Sequence, residues 1–272
     1  MKKTALTLAI AAISATPAMV SAQDYQVEGL LNYQNLDFDR PGVVSRDRGA
    51  VEGRFHLLPV RTAGHPLAEA AYLERSDNLF LSYRHEDESH EDKVRVGAEG
   101  YVQDFYGRVE VNHVEDFGGG GSNAESSNTG AAVDIGWLPP QLQSLRLTVG
   151  GALDSPDHFQ EDVLRFGGKW VQSMQAGTAL SLEARYDIVD DDNDTTVLDV
   201  RGDYFLTNSI SVGLGGQRVD NDADDNTAFT FGSEVFLTPL FSAAVDYTLD
   251  ASFNNIPSVE ADILSLTARA RF

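Results

Sequence analysis

Two runs, Asp190-Asp191-Asp192-Asn193-Asp194 and Asp220-Asn221-Asp222-Ala223-Asp224-Asp225-Asn226, offer hard oxygen donors at spacings that suit Ca²⁺. Neither carries the glycine and distal bidentate glutamate of an EF-hand loop, so they read as solvated, anion-repelling loops. No metal and no cofactor is expected. Nucleophilic catalysis would need a Ser or Asp brought within reach of a His. The histidines, His56, His65, His85, His90, His113 and His158, fall mostly in connections or near strand ends, and none sits in a recognisable motif. His85 and His90 share an acidic loop at a spacing that is not diagnostic of a metal. The Gly118 to Gly121 run lacks the Lys-Ser/Thr and helix of a phosphate-binding loop and reads as a flexible connection. The expectation is that the protein is not an enzyme.

What remains is a chemistry of fixed charge. Basic and acidic residues recur at alternate positions: Arg48, Glu52 and Arg54, then Arg84, then Lys93, Arg95 and Glu99, then Arg108 and Glu110. The pattern continues with Asp134, Arg146, Arg165 and Lys169, and with Glu183, Arg185 and Asp187. It closes with Asp199, Arg201 and Asp203, then Glu234, Asp246, Arg269 and Arg271. Most of the chain's basic residues stand in this set, whereas the net charge is −22. The acidic excess therefore belongs to the loops, and such a chain is a poor partner for nucleic acid. Opposed Arg and Glu rows on neighbouring strands can pair and line a hydrated path.

Elements with a period of two must position them. Runs such as TVLDVRGDYFLT (196–207) and LFSAAVDYTLD (240–250) alternate for about ten residues, the length of a tilted strand that crosses a bilayer. In the first, Leu198, Val200, Tyr204 and Leu206 share one face while Asp199, Arg201, Asp203 and Phe205 share the other. Short turns (VQDFYG, WLPPQLQS, YFLTNS, VFLTPL) take turns with longer acidic loops (HEDESHED, VDDDNDTT, DNDADDN), as an up-and-down barrel requires when its two rims face different compartments. A charge on the lipid face costs roughly 2 to 4 kcal/mol near the midplane, so segregation of charge to one face favours a membrane barrel over a soluble sandwich. Tyr101, Tyr106, Trp137, Trp170, Tyr204, Phe205, Phe236 and Phe241 lie close to the short turns and are expected to form an interfacial girdle.

Residues 1–22 combine a basic start, an apolar run and a Val20-Ser21-Ala22 cleavage pattern, and read as a secretory signal ahead of a single barrel domain, 23–272. No later segment approaches the length of an apolar helical span, and with no cysteine the exported chain has no disulfide to hold it. Counting alternating runs gives about 14 antiparallel strands, with about 12 or 16 as alternative counts. PLAEAAYLERSDN (66–78) breaks the parity; its Ala, Leu and Glu content suits a short helix, placed in an extended connection on the short-turn side. No long inserted plug is apparent, and an open lumen is expected.

The signal, the segment LLPVRTAGHPLAEAAYLERSDNLFLSY, the repeated YFLTN and VFLTP turns and terminal Phe272 together resemble the porins of Gram-negative bacteria. The resemblance implies an all-β, transmembrane, antiparallel up-and-down β-barrel of the cell outer membrane, and transfers no catalytic residue. Its function would be passive diffusion of small hydrophilic solutes or ions through the charged lumen. The alternative is a closed barrel with a structural or surface-recognition role through its acidic loops. The implied partners are outer-membrane lipid and lipopolysaccharide, small hydrophilic solutes, and the barrel insertion machinery, which would read the aromatic end of the last strand.

Overall fold

The computed structural model describes residues 24–38, 45–87, 91–116, 126–142, 144–155, 161–174, 177–191, 194–222, 225–253 and 256–272. The proposed signal, 1–22, and the glycine run at 118–121 lie outside the described residues, as does part of each acidic loop. Alternation resolves into 14 strands, in order β1 (Tyr25–Phe38), β2 (Arg46–Val60), β3 (Asn78–Glu86), β4 (Glu91–Val102), β5 (Phe105–Asp116), β6 (Ser126–Trp137) and β7 (Leu145–Ser155). They continue with β8 (Glu161–Ser173), β9 (Ala179–Asp190), β10 (Thr196–Thr207), β11 (Ile210–Asp220), β12 (Asp225–Thr238), β13 (Phe241–Phe253) and β14 (Ile256–Arg271).

Each strand pairs antiparallel with its sequence neighbours, and β1 pairs with β14, so the sheet closes and has no free edge. Closure matters physically, because an unpaired edge in lipid would leave backbone polar groups without partners. The seam runs from Glu28 opposite Arg271 to Phe38 opposite Ala261, and Phe272 continues it through backbone bonds with Val27 in both directions. Asp24 and Phe272 stand at one rim, which also carries the short turns; the acidic connections rise from the other.

Burial is inverted relative to a water-soluble protein. Leu31, Val51, Leu81, Val96, Val111, Ile135, Leu198 and Val200 are exposed, while Glu28, Glu86, Lys93, Glu110, Asp134, Asp187 and Arg271 are buried. Compact clusters of buried apolar residues are small, such as Leu36, Phe38 and Ala261, or Ala152, Val163 and Val189. The wall is therefore held by backbone ladders, with its apolar face turned outward. No helix among the described residues is long and apolar enough to cross a membrane.

One connection departs from the rest. Between β2 and β3, residues 61–77 form a 3₁₀ turn (Leu67–Glu69) that runs into a short helix, α1 (Ala70–Leu73). Gly64, in the left-handed region at φ 82°, turns the chain ahead of Pro66, which cannot extend a strand ladder. The helix expected in 66–78 is present. It lies in the connection on the short-turn side, as expected, but folds inward: Leu67, Glu69 and Ala70 are buried, and Ala70 packs on Tyr25 and Val60 inside the rim. The segment is short, but it reaches into the barrel mouth, which its sequence did not signal. Composition gave the segment's conformation, but its contacts are with strands distant in sequence.

Candidate functional site

Most of the charged positions meet inside the barrel in several clusters of pairs. On the β2–β5 side Arg48 donates to Glu86 at 2.6 Å and Arg84 to Glu91 at 2.9 Å, while Lys93 is buried in register with Arg84. Arg54 pairs with Glu52 at 2.8 Å and approaches Glu99 at 3.8 Å. Arg108 reaches Glu110 at 2.6 Å, and Arg95 stands 3.7 Å from the same carboxylate. Asp134 is buried in register with Arg108.

On the β8–β13 side, Asp187 takes Arg165 at 3.1 Å and Arg185 at 3.2 Å, and Arg185 also lies 3.6 Å from Asp199. Arg201 donates to Asp203 and to Asp246, both at 2.9 Å. Glycine makes that cluster possible: a Cβ on Gly213 would run into the Asp203 carboxylate and one on Gly232 into that of Asp246, with the Arg201 guanidinium about as close to both. At the seam, Arg271 donates to Glu28 at 2.6 Å, and Arg269 bridges Glu28 at 3.7 Å and Glu234 at 3.4 Å.

Arg146 and Lys169 are held differently, because the inward segment supplies part of their surroundings. Lys169 Nζ lies 3.0 Å from Glu69 of the segment and 3.3 Å from Glu183 of the wall. Glu69 also accepts from Ser181 Oγ at 2.9 Å. Tyr72 of α1 donates its hydroxyl to the carbonyls of Ser144 (2.9 Å) and Lys169 (2.8 Å), and burial pushes its phenol above the ordinary range, so it stays a donor. Its ring lies 5.2 Å from the Arg146 guanidinium and 5.3 Å from the Lys169 ammonium, within cation–π range. Arg146 itself stacks 4.1 Å from the Tyr106 ring and donates to the Tyr101 hydroxyl at 3.0 Å.

The segment thus leaves β2, crosses the lumen and touches strands nearly opposite in the ring. Backbone bonds fix it further: Leu67 N–H donates to the Asn208 carbonyl at 2.8 Å, and Arg271 Nη1 donates to the Leu67 carbonyl at 2.9 Å. Its two ends are clasped by Glu74, which accepts from Arg61 at 2.7 Å and contacts His65 at 2.9 Å. Burial raises the Glu74 pKa, but the bonds from Arg61 and His65 outweigh that and hold it below the usual carboxylate value. Between segment and wall lies a polar cavity of about 280 Å³, lined among others by Glu52, Arg54, Glu99, Tyr101, Arg146 and Lys169.

Alternation placed the charged residues but not the aromatics. Of the expected girdle, Trp137, Tyr204 and Phe241 are exposed outward and Trp170 is half-buried, in register with outward Leu182. Tyr106, Phe205 and Phe236 are buried and Tyr101 lines the cavity, so these are not interfacial. The same parity contained the signal: Tyr106 stands two residues from Arg108, Tyr101 two from Glu99, and Phe236 two from Glu234. Glu28, Glu69 and Tyr72 were missed too; the last two belong to a segment that carries no alternation. Among the described residues no group of three or more His, Cys, Asp or Glu could hold a metal ion.

No protein-family model and no curated protein sequence matches the chain. Solved structures do. The outer membrane protein Omp33 of Acinetobacter baumannii superposes with a TM-score of 0.68 at 20% identity, over 92% of this chain and 99% of that one. OprB of Pseudomonas putida follows with a TM-score of 0.50 at 9% identity, over 92% of this chain and 94% of its own. The shared fold is a closed, all-antiparallel β-barrel. At these identities the likeness concerns architecture, and the lumen must be read from its own residues.

Proposed function

We propose that this chain is an outer-membrane porin that passes small hydrophilic solutes or ions by passive diffusion, and that it carries no catalytic activity. One observation carries the reading: a closed barrel whose outer face is apolar and whose inner face is lined by paired Arg, Lys, Glu and Asp around a polar cavity. Such a surface is stable only with lipid outside and water inside. The short-turn rim then faces the periplasm, and the acidic loops face the lipopolysaccharide side, where they bias which ions approach. All twenty-three inward charges named above are the proposed lining of this path.

The segment 61–77 favours a second reading, a closed barrel that acts through its loops, because it crosses the periplasmic mouth. Planar-bilayer recording of the purified, folded chain separates the two. Step currents are expected, small because solute must pass the segment. Silence from both the full chain and a variant lacking residues 63–75 would sink the porin reading.

A further inference from the structure

Arg146 and Lys169 differ from the other lumenal cations in what neutralises them. Without the segment, the wall offers there two cations, one carboxylate (Glu183) that reaches Lys169, the Ser181 hydroxyl and the Tyr101 and Tyr106 rings. Among the described residues Arg146 has no carboxylate at ion-pair distance, and its Nε finds no acceptor at all. The segment completes the balance with the Glu69 carboxylate, set on Lys169 and Ser181, and with the Tyr72 ring set against both cations. A carboxylate and a flat ring, delivered together to two cations on the wall of a polar cavity, are the recognition elements of a small organic acid.

We propose that Lys169, Arg146 and Ser181 form a binding site for small organic carboxylates, and that Glu69 and Tyr72 occupy it as an internal stand-in for that ligand. The site deepens the diffusion reading and rests on it for its biological meaning: a carboxylate solute competes with Glu69, weakens the segment's hold and clears its own way. Its occupancy is nevertheless measurable whether or not the barrel conducts. Competition also fixes the sign of the effect. A site filled by its own chain shows an apparent affinity reduced by the fraction of time it is vacant, so removing the internal carboxylate tightens binding.

The test is titration calorimetry of sodium benzoate into the full chain folded in detergent, with benzamide as the same ring without the charge. Folding of every variant is checked by heat-modifiable migration on a gel. Glu69→Gln is expected to bind benzoate roughly tenfold more tightly than the unaltered chain. Lys169→Arg retains binding, Lys169→Met loses it, and benzamide binds none of them. Equal affinity in the unaltered chain, Glu69→Gln and Lys169→Met overturns the proposal, as does benzamide binding as tightly as benzoate or no binding to Glu69→Gln. Channel recordings without steps would instead remove the diffusion reading and leave the calorimetric result standing.

Discussion

Arg201 and Lys169 face the same lumen from β10 and β8, yet they are satisfied in opposite ways. Arg201 receives both carboxylates, Asp203 and Asp246, from the wall, and Gly213 and Gly232 clear the space for the cluster. Lys169 receives one carboxylate from the wall and the other from a segment that comes from β2. Among the described residues the segment makes no bond to Arg201. At Lys169, where the wall supplies one carboxylate, the chain has folded a piece of itself across the gap. The difference separates charges that build the barrel from charges left to hold something movable, since a carboxylate anchored in the wall cannot swing away for a solute as one on a separate segment can.

The largest effect should come from the segment. Replacing residues 63–75 by a short Gly-Ser link is expected to raise single-channel conductance severalfold, whereas Asp246→Asn beside Arg201 should shift ion selectivity and leave conductance nearly unchanged. If the two variants conduct alike, the contrast between a self-satisfied wall and a covered one is broken. Next in size is a change at Val200, which is exposed on the outer face one residue from inward Arg201. Val200→Arg should lose roughly 2 to 4 kcal/mol of folding stability in vesicles by denaturant titration, if that position sits near the bilayer midplane.

A smaller loss is expected at the glycines. Gly232→Ala drives a methyl into the Asp246 carboxylate beside Arg201, and should cost about 1 to 3 kcal/mol. Gly53→Ala meets nothing within 4 Å and should cost nothing measurable in the same titration. The smallest effect is a dependence on pH. Because the folded pKa of Glu74 lies below its ordinary value, the clasp it forms is complete above that value and is lost as pH falls through the depressed one. Open probability should therefore rise in acid, and Glu74→Gln should remove that part of the response.

Alternation and loop exchange made the barrel legible, because an apolar outer face and a charged inner face impose a period of two on every strand. The alternating run at 196–207 is the strand Thr196–Thr207, while the run at 240–250 stops three residues short of the end of the strand Phe241–Phe253. Parity likewise separated Arg201 from Val200. It failed where it was overruled: Tyr101 and Tyr106 were assigned to the membrane interface by residue type, although parity set them beside Glu99 and Arg108. The inward segment was beyond reach for another reason. Leu67, Glu69 and Tyr72 bond to Asn208, Ser181 and Ser144, and no local pattern encodes partners more than seventy residues away.

The seam carries one more implication. Arg271 is the last charged residue of the chain, and it holds Glu28 on the first strand and the Leu67 carbonyl of the segment at the same time. The hoop shuts by joining its two ends, and the rivet passes through the piece lodged inside. A barrel that fastened without the segment would leave its final arginine holding one partner instead of two.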